Sequence, residues 1–138
     1  MSVGRVLGLD FGTVRIGVAV SDPLGITARP VGSVPADEFE NRLPALVEEL
    51  APVRVVVGLP TGLGGHEGPS AEGARTLAEL VSEATGLPVE FADERFTTVR
   101  AEELLAARER DRRRRREQVD AVAASVMLQG WLDVRTRP

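Results

Sequence analysis

Asp10 closes the apolar run Val6-Leu7-Gly8-Leu9 and is followed at once by Phe11-Gly12-Thr13. An apolar run that ends in a carboxylate and turns on a glycine sets one acid at the mouth of a buried strand. The backbone there is bare enough for a phosphate to approach closely. Two more acidic positions have matching settings: Asp93-Glu94 end the run Pro88 to Ala92, and Asp120 opens the last helical pattern. Carboxylate oxygens suit the hard ions Mg²⁺ and Mn²⁺, and the chain has no cysteine to build a soft thiolate site. Three carboxylates on three element ends therefore point to a divalent-metal centre of the kind used on phosphodiesters.

Each of these acids also has a plain reading. Asp before Phe-Gly is a common turn former, and an acid in the first turn of a helix complements the helix dipole. Asp93 and Glu94 are neighbours, and adjacent residues of a strand point to opposite faces, so only one of them can easily join Asp10. Ala92 and Glu94 share a face, which favours Glu94 and leaves Asp93 to cap or to hold Arg95. His66, the only histidine, lies in a glycine-rich stretch and reads as a bystander.

The basic residues tell a second story. All 17 are arginine. They crowd into Arg108 to Arg116, where seven arginines face only Glu109 and Asp111, a local charge of +5 in a chain whose net charge is −4. Most charge runs are simply solvated. This one directly precedes the Asp120 helix, so Arg112, Arg113, Arg114, Arg115 and Arg116 are placed to grip phosphates, with a steep salt dependence. No aromatic residue lies between Val99 and Leu128, so such a grip would not read sequence by stacking. Arg15 and Arg95 are further candidates for holding a phosphate near the metal, because a guanidinium matches it bidentately.

The elements that must position these groups can be read from periodicity. At 138 residues, 43% hydrophobic and 28% charged, the chain reads as one globular domain over 1–138. Strand-like runs at Arg5 to Leu9, Ile16 to Val20 and Ala28 to Val34 are joined by short turns, which favours an antiparallel meander. A helix is expected from Asp37 to Leu50, with Pro44 marking a kink or a later start. Val53 to Val57 is short and β-branched, as in a strand buried on both faces. Thr61 to Ser70 holds four glycines and reads as a mobile loop. A helix over Ala71 to Thr85 stops at Gly86, Pro88 to Ala92 is the next strand, and Thr97 or Thr98 can cap a third helix. The last helix spans Gln118 to Val134, with Val119, Val122, Ala123, Val126, Met127, Gly130 and Trp131 as its expected buried side. The sum is an α/β fold: a mixed five-stranded sheet, three antiparallel strands then two parallel, flanked by helices. No stretch is apolar enough to cross a membrane, no signal-peptide pattern opens the chain, and cysteine is absent, so the expected compartment is the cytoplasm.

Four stretches, GLDFGTVRIGVAVSD (Gly8 to Asp22), VVVGLP (Val55 to Pro60), DERFTT (Asp93 to Thr98) and VDAVAASVMLQGWL (Val119 to Leu132), resemble in order and spacing the YqgF/RuvX family of the ribonuclease-H-like superfamily. The resemblance covers nearly the whole chain. It implies a ribonuclease-H-like nuclease with Asp10, Glu94 and Asp120 as catalytic metal ligands and Mg²⁺ or Mn²⁺, in a two-metal site, as cofactor. It implies a role in maturing the 5′ end of pre-16S rRNA, with Holliday-junction resolution on branched DNA as the alternative. The implied partner is nucleic acid, RNA precursor or branched DNA, with no membrane; a homodimer is left open. The superfamily's nucleases often carry a fourth acid, and none is evident on the face of Asp120, Asp133 lying far down the helix. GLDFGT also resembles the phosphate loop of actin- and Hsp70-like ATPases, but those pair two such domains and this chain has the length of one. A binding-only nucleic-acid module is the remaining alternative. Against it, three converging carboxylates would repel phosphate unless a cation were held between them.

Overall fold

A computed structural model of the chain describes residues 4–59, 69–93 and 112–136. Its elements are β1 (Arg5–Asp10), β2 (Arg15–Ser21), β3 (Ala28–Pro35), a 3-10 turn (Ala36–Glu38), α1 (Phe39–Leu50), β4 (Pro52–Leu59), α2 (Pro69–Thr85), β5 (Val89–Asp93) and α3 (Arg112–Thr136). The strands form one sheet in the order β3-β2-β1-β4-β5. β1 pairs antiparallel with β2, and β2 with β3; β4 runs parallel to both β1 and β5. This is the mixed sheet expected from the short turns early in the chain and the helical crossovers after them.

The sheet divides the interior into two cores, because successive side chains of a strand point to opposite faces. Leu7, Leu9, Ile16, Val18, Val20, Val55 and Val57 pack with Phe39, Leu43 and Leu50 of α1 and with Ala74, Leu77, Ala78 and Val81 of α2. Fully burying a side chain such as Phe39 or Leu43 contributes about 1.5–3 kcal/mol each. On the other face Val6, Ala19 and Val56 meet Ala124, Met127, Leu128 and Leu132 of α3, with Ala92 of β5 packed against them. Both faces of β1 and β4 are covered, which is why their sequences run apolar without alternation.

Local chemistry fixes the strand connections. The β2–β3 turn is wound around Asp22, whose carboxylate accepts the backbone N–H groups of Ile26 (2.7 Å), Thr27 (2.8 Å) and Leu24 (3.2 Å). The N–H of Thr27 above all, aided by those of Ile26 and Leu24, holds the Asp22 carboxyl below its ordinary pKa, against a desolvation that works the other way. Ser21 is fully buried. Its hydroxyl accepts the Val6 N–H at 2.8 Å and donates to the Asp22 carbonyl at 2.9 Å. The Val6 amide needs that partner because the β1–β4 register shifts between Arg5 and Val6. α2 ends as its sequence suggests, on Gly86 at φ 71°, whose N–H donates to Ser82 O.

Three expectations need correction. Pro44 does not set the start of α1: the helix runs from Phe39 through Leu50 with the proline inside, and the segment from Ala36 to Glu38, where the sequence pattern would open it, is a 3-10 turn. The last helix starts at Arg112 and not at Gln118, since arginine is a good helix former and the run simply adds turns. Asp120 therefore sits in the third turn, where the helix dipole no longer explains it. The buried side of that helix is also rotated. Ala121, Ala124, Leu128 and Leu132 are buried along with Ala123 and Met127, while Val122, Val126 and Trp131 are only partly covered and Gly130 is exposed. Small side chains face the sheet because the helix approaches it closely at two glycines of the strands. The glycine-rich loop, apart from its last two residues, and the helix expected after Thr97 or Thr98 lie outside the described residues.

Candidate active site

Asp10 ends β1, the middle strand of five, paired with Gly17 of β2 on one side and Gly58 of β4 on the other. Gly58 is in turn level with Ala92 of β5. The parallel strands β1, β4 and β5 thus end together in Asp10, Leu59 and Asp93, at the carboxyl edge where open sheets of this kind bind ligands. The turn after Asp10 is pinned from behind. Phe11 packs on the α1/α2 core, and its ring fills the space where a side chain at Gly73 of α2 would stand.

α3 brings the second acid. Asp120, Ala124 and Leu128 follow at four-residue spacing, one stripe of the helix. Leu128 lies over Gly8, where an added Cβ would stand 3.0 Å from its own Cβ. At the other end of the stripe, an added Cβ at Gly17 would overlap the Asp120 carbonyl and lie 3.3 Å from its Cα. Gly17 is therefore the meeting point of the site: Asp10 is its partner across the sheet, and the Asp120 backbone rests directly on it.

Arg15, two residues before Gly17 on β2, turns its guanidinium to this place. Its Nε donates to Asp120 Oδ2 at 2.6 Å, with the two side chains 34% and 26% exposed. The sequence suggested Arg15 as a phosphate holder and did not reveal that it pairs with one of the proposed metal ligands. Gly17 and the Phe11–Gly73 contact were also missed. A glycine in the middle of the β2 run is the one sequence signal that marks close approach by another backbone.

Glu94 and Arg95 lie outside the described residues. Among the described residues, no three acidic or histidine side chains form a group able to hold a metal ion. Two of the three expected acidic residues thus flank Gly17 with their main chains, and Glu94 belongs to the segment following β5. Alternation in β5 is visible before that point: Phe91 lies under Arg75 of α2, and Ala92 packs with the α3 core. Arg112 to Arg116 form the opening of α3, and positions 112 and 116 stand two turns and one turn before Asp120 on the same stripe.

The profile of the RuvX family, described as Holliday junction resolvase, matches residues 4–134. This chain belongs to the RuvX family. It is 48% identical over 134 residues to a protein of Anaeromyxobacter sp. strain K, covering 95% of this chain and 98% of that one, and 44% identical over 137 residues to one of Myxococcus xanthus, covering 97% and 91%. Both relatives carry the name "Putative pre-16S rRNA nuclease". Among solved structures, Thermus thermophilus RuvC in complex with a Holliday junction substrate superposes with a TM-score of 0.60 at 18% identity, covering 96% of this chain and 95% of that one. At that identity the likeness establishes the shared fold. RuvX membership makes the protein a nuclease, and no helix among its described residues is long and apolar enough to cross a membrane.

Proposed function

We propose that this RuvX protein is a divalent-metal-dependent nuclease that trims precursor 16S rRNA at its 5′ end, in the cytoplasm, with Asp10, Glu94 and Asp120 as its metal ligands. The observation that carries the reading is the placement of Asp10 and Asp120 on two sides of Gly17, at the sheet edge where three parallel strands end. Both are oxygen donors in a chain without cysteine, a set that fits Mg²⁺ or Mn²⁺. Glu94 is the third ligand in this reading because it follows Ala92 by two residues, and Ala92 is on the α3 side of the sheet. Cations held by Asp10, Glu94 and Asp120 would supply Lewis acidity toward a phosphodiester and offset the negative charge that develops on its oxygens.

The protein's own residues do the rest. β1, hydrogen-bonded on both sides, holds Asp10 rigidly. The close seat of α3 on Gly17 sets the Asp10–Asp120 spacing through main-chain contact. Arg112 to Arg116, entering from the start of α3, draw in the nucleic-acid backbone without selecting sequence. The names of the relatives favour RNA; the family description favours branched DNA as the second reading.

Purified protein with Mg²⁺ or Mn²⁺ on precursor rRNA, single-stranded RNA and four-way DNA separates the two. Preferred cleavage of the precursor is expected, and preferred cutting of the four-way junction would transfer the assignment to the second reading. Asp10→Asn, Asp120→Asn and Glu94→Gln are each expected to lower turnover by more than about a hundredfold, since even the partners of metal ligands cost up to that factor. Asp93→Asn is expected to cost far less. Undiminished cleavage by Asp120→Asn would remove the metal-site reading.

A further inference from the structure

The Arg15–Asp120 pair has a consequence for how such a site is loaded. Arg15 spends its Nε on Asp120, and its two terminal nitrogens make no other hydrogen bond or ion pair with the described residues. The pair is partly open to solvent, about a third for Arg15 and a quarter for Asp120, at the sheet edge beside the carboxyl ends of β1 and β4. A guanidinium bonded to one oxygen of a carboxylate lowers that carboxylate's attraction for a cation in two ways. It occupies lone-pair directions on Oδ2, and it adds a positive charge within one hydrogen bond of the ligand.

We propose that Arg15 couples metal loading to substrate binding: it weakens the hold of Asp120 on a divalent cation until a nucleic-acid phosphate draws the guanidinium away. The ligand class is a phosphodiester oxygen, which a guanidinium engages as well as it does a carboxylate. The proposal rests on the reading of Asp120 as a metal ligand. Coupling of this kind is reciprocal, so the cation and the nucleic acid each raise the other's affinity by the same factor. Arg15 is a positioning residue here; its effect on the metal passes through Asp120.

The test is calorimetric titration of Mn²⁺ into the wild-type protein, Arg15→Gln and Arg15→Lys, each with and without a phosphorothioate-linked single-stranded RNA that resists cleavage. Without RNA, Arg15→Gln is expected to bind Mn²⁺ about tenfold more tightly than wild type, the size of a removed unit charge acting on a divalent ion at a few ångströms in a water-like dielectric. Arg15→Lys keeps the charge and is expected to stay near wild type. With RNA, Mn²⁺ affinity is expected to rise for wild type and Arg15→Lys and to rise much less for Arg15→Gln. Mn²⁺ binding that is equal or weaker in Arg15→Gln would overturn the coupling and leave the metal site standing. No Mn²⁺ binding by any of the three would overturn both. Should Arg15→Gln fail to fold, the wild type alone decides, since RNA that leaves its Mn²⁺ affinity unchanged refutes the coupling.

Discussion

Gly17→Ala is the sharpest test of how the site is built. A methyl group at position 17 would overlap the Asp120 carbonyl oxygen and stand 2.6 Å from the carbonyl carbon and 3.3 Å from Cα. These are main-chain atoms, so no rotamer change relieves the overlap; α3 must lift from the sheet. Overpacking typically costs about 1–3 kcal/mol, and a clash between two backbones belongs at the top of that range. For a domain of this size the melting temperature falls by about 10 °C. Without the clash the same substitution would stabilise by about 0.4–1 kcal/mol, because alanine restricts the unfolded chain, so the sign alone is informative. Gly8→Ala is the control. Its added carbon meets Leu128 Cβ at 3.0 Å and the mobile Cδ2 and Cγ at 3.2 and 3.4 Å, so a shift of a few tenths of an ångström relieves it, and about 1 kcal/mol is expected. Urea melts followed by circular dichroism, with Mg²⁺-dependent cleavage measured in parallel, report both effects. A Gly17→Ala protein as stable and as active as wild type would refute the close seating of α3 and the spacing argument with it.

Other perturbations isolate other parts. Replacing Arg112 to Arg116 with Gln is expected to weaken binding to two unrelated sequences equally and to flatten the salt slope of log Kd, with little change in melting temperature; an unchanged slope would make the run a solvated face. Ser21→Ala strands the Val6 N–H in the interior and is expected to cost about 1–3 kcal/mol in a urea melt, whereas a neutral result would show that the register shift finds another partner. Asp22, whose carboxyl is held below its ordinary pKa, contributes stability that is fully present above that ordinary value. The contribution is lost as pH falls through the lower, folded-state value. Melts of wild type and Asp22→Asn from about pH 6 downward should therefore converge in the acid range, set by ordinary carboxylate titration; a constant difference across that range would show that the turn does not depend on the charge.

Much of this architecture is written plainly in the chain. The unbroken apolar runs of β1 and β4 announce strands covered on both faces, and short polar turns between the first three strands dictate their antiparallel order. α3 is legible only in part, for a physical reason. Periodicity ranks residues by hydrophobicity, and by that measure Val122, Val126 and Trp131 should be inside. The helix instead presents Ala121, Ala124 and Leu128, because what faces it is the bare backbone of Gly8 and Gly17. Close approach selects for small size over apolar area, and a single-sequence pattern does not weigh the two. The Arg15–Asp120 bond, between residues 105 apart in the chain, is likewise invisible until the helix is docked. The place of Asp10 at the end of a buried strand is readable because strand, acid and glycine are contiguous.

The two cores, one on each side of the sheet, need not fail together. The α1/α2 side is the larger of the two among the described residues, built from Phe, Leu, Ile and Val with two alanines; the α3 side sets Ala124, Met127, Leu128 and Leu132 of the helix against Val6, Ala19 and Val56. Fewer large apolar side chains of the helices are buried where α3 docks, so that helix is expected to have the smaller free energy of local opening. On warming, α3 should detach while β1–β5, α1 and α2 remain folded, taking Asp120 away from Asp10. Activity would then be lost several degrees below the main melting transition and return on cooling. Amide hydrogens of α3 would exchange faster than those of α1 and α2 throughout that interval.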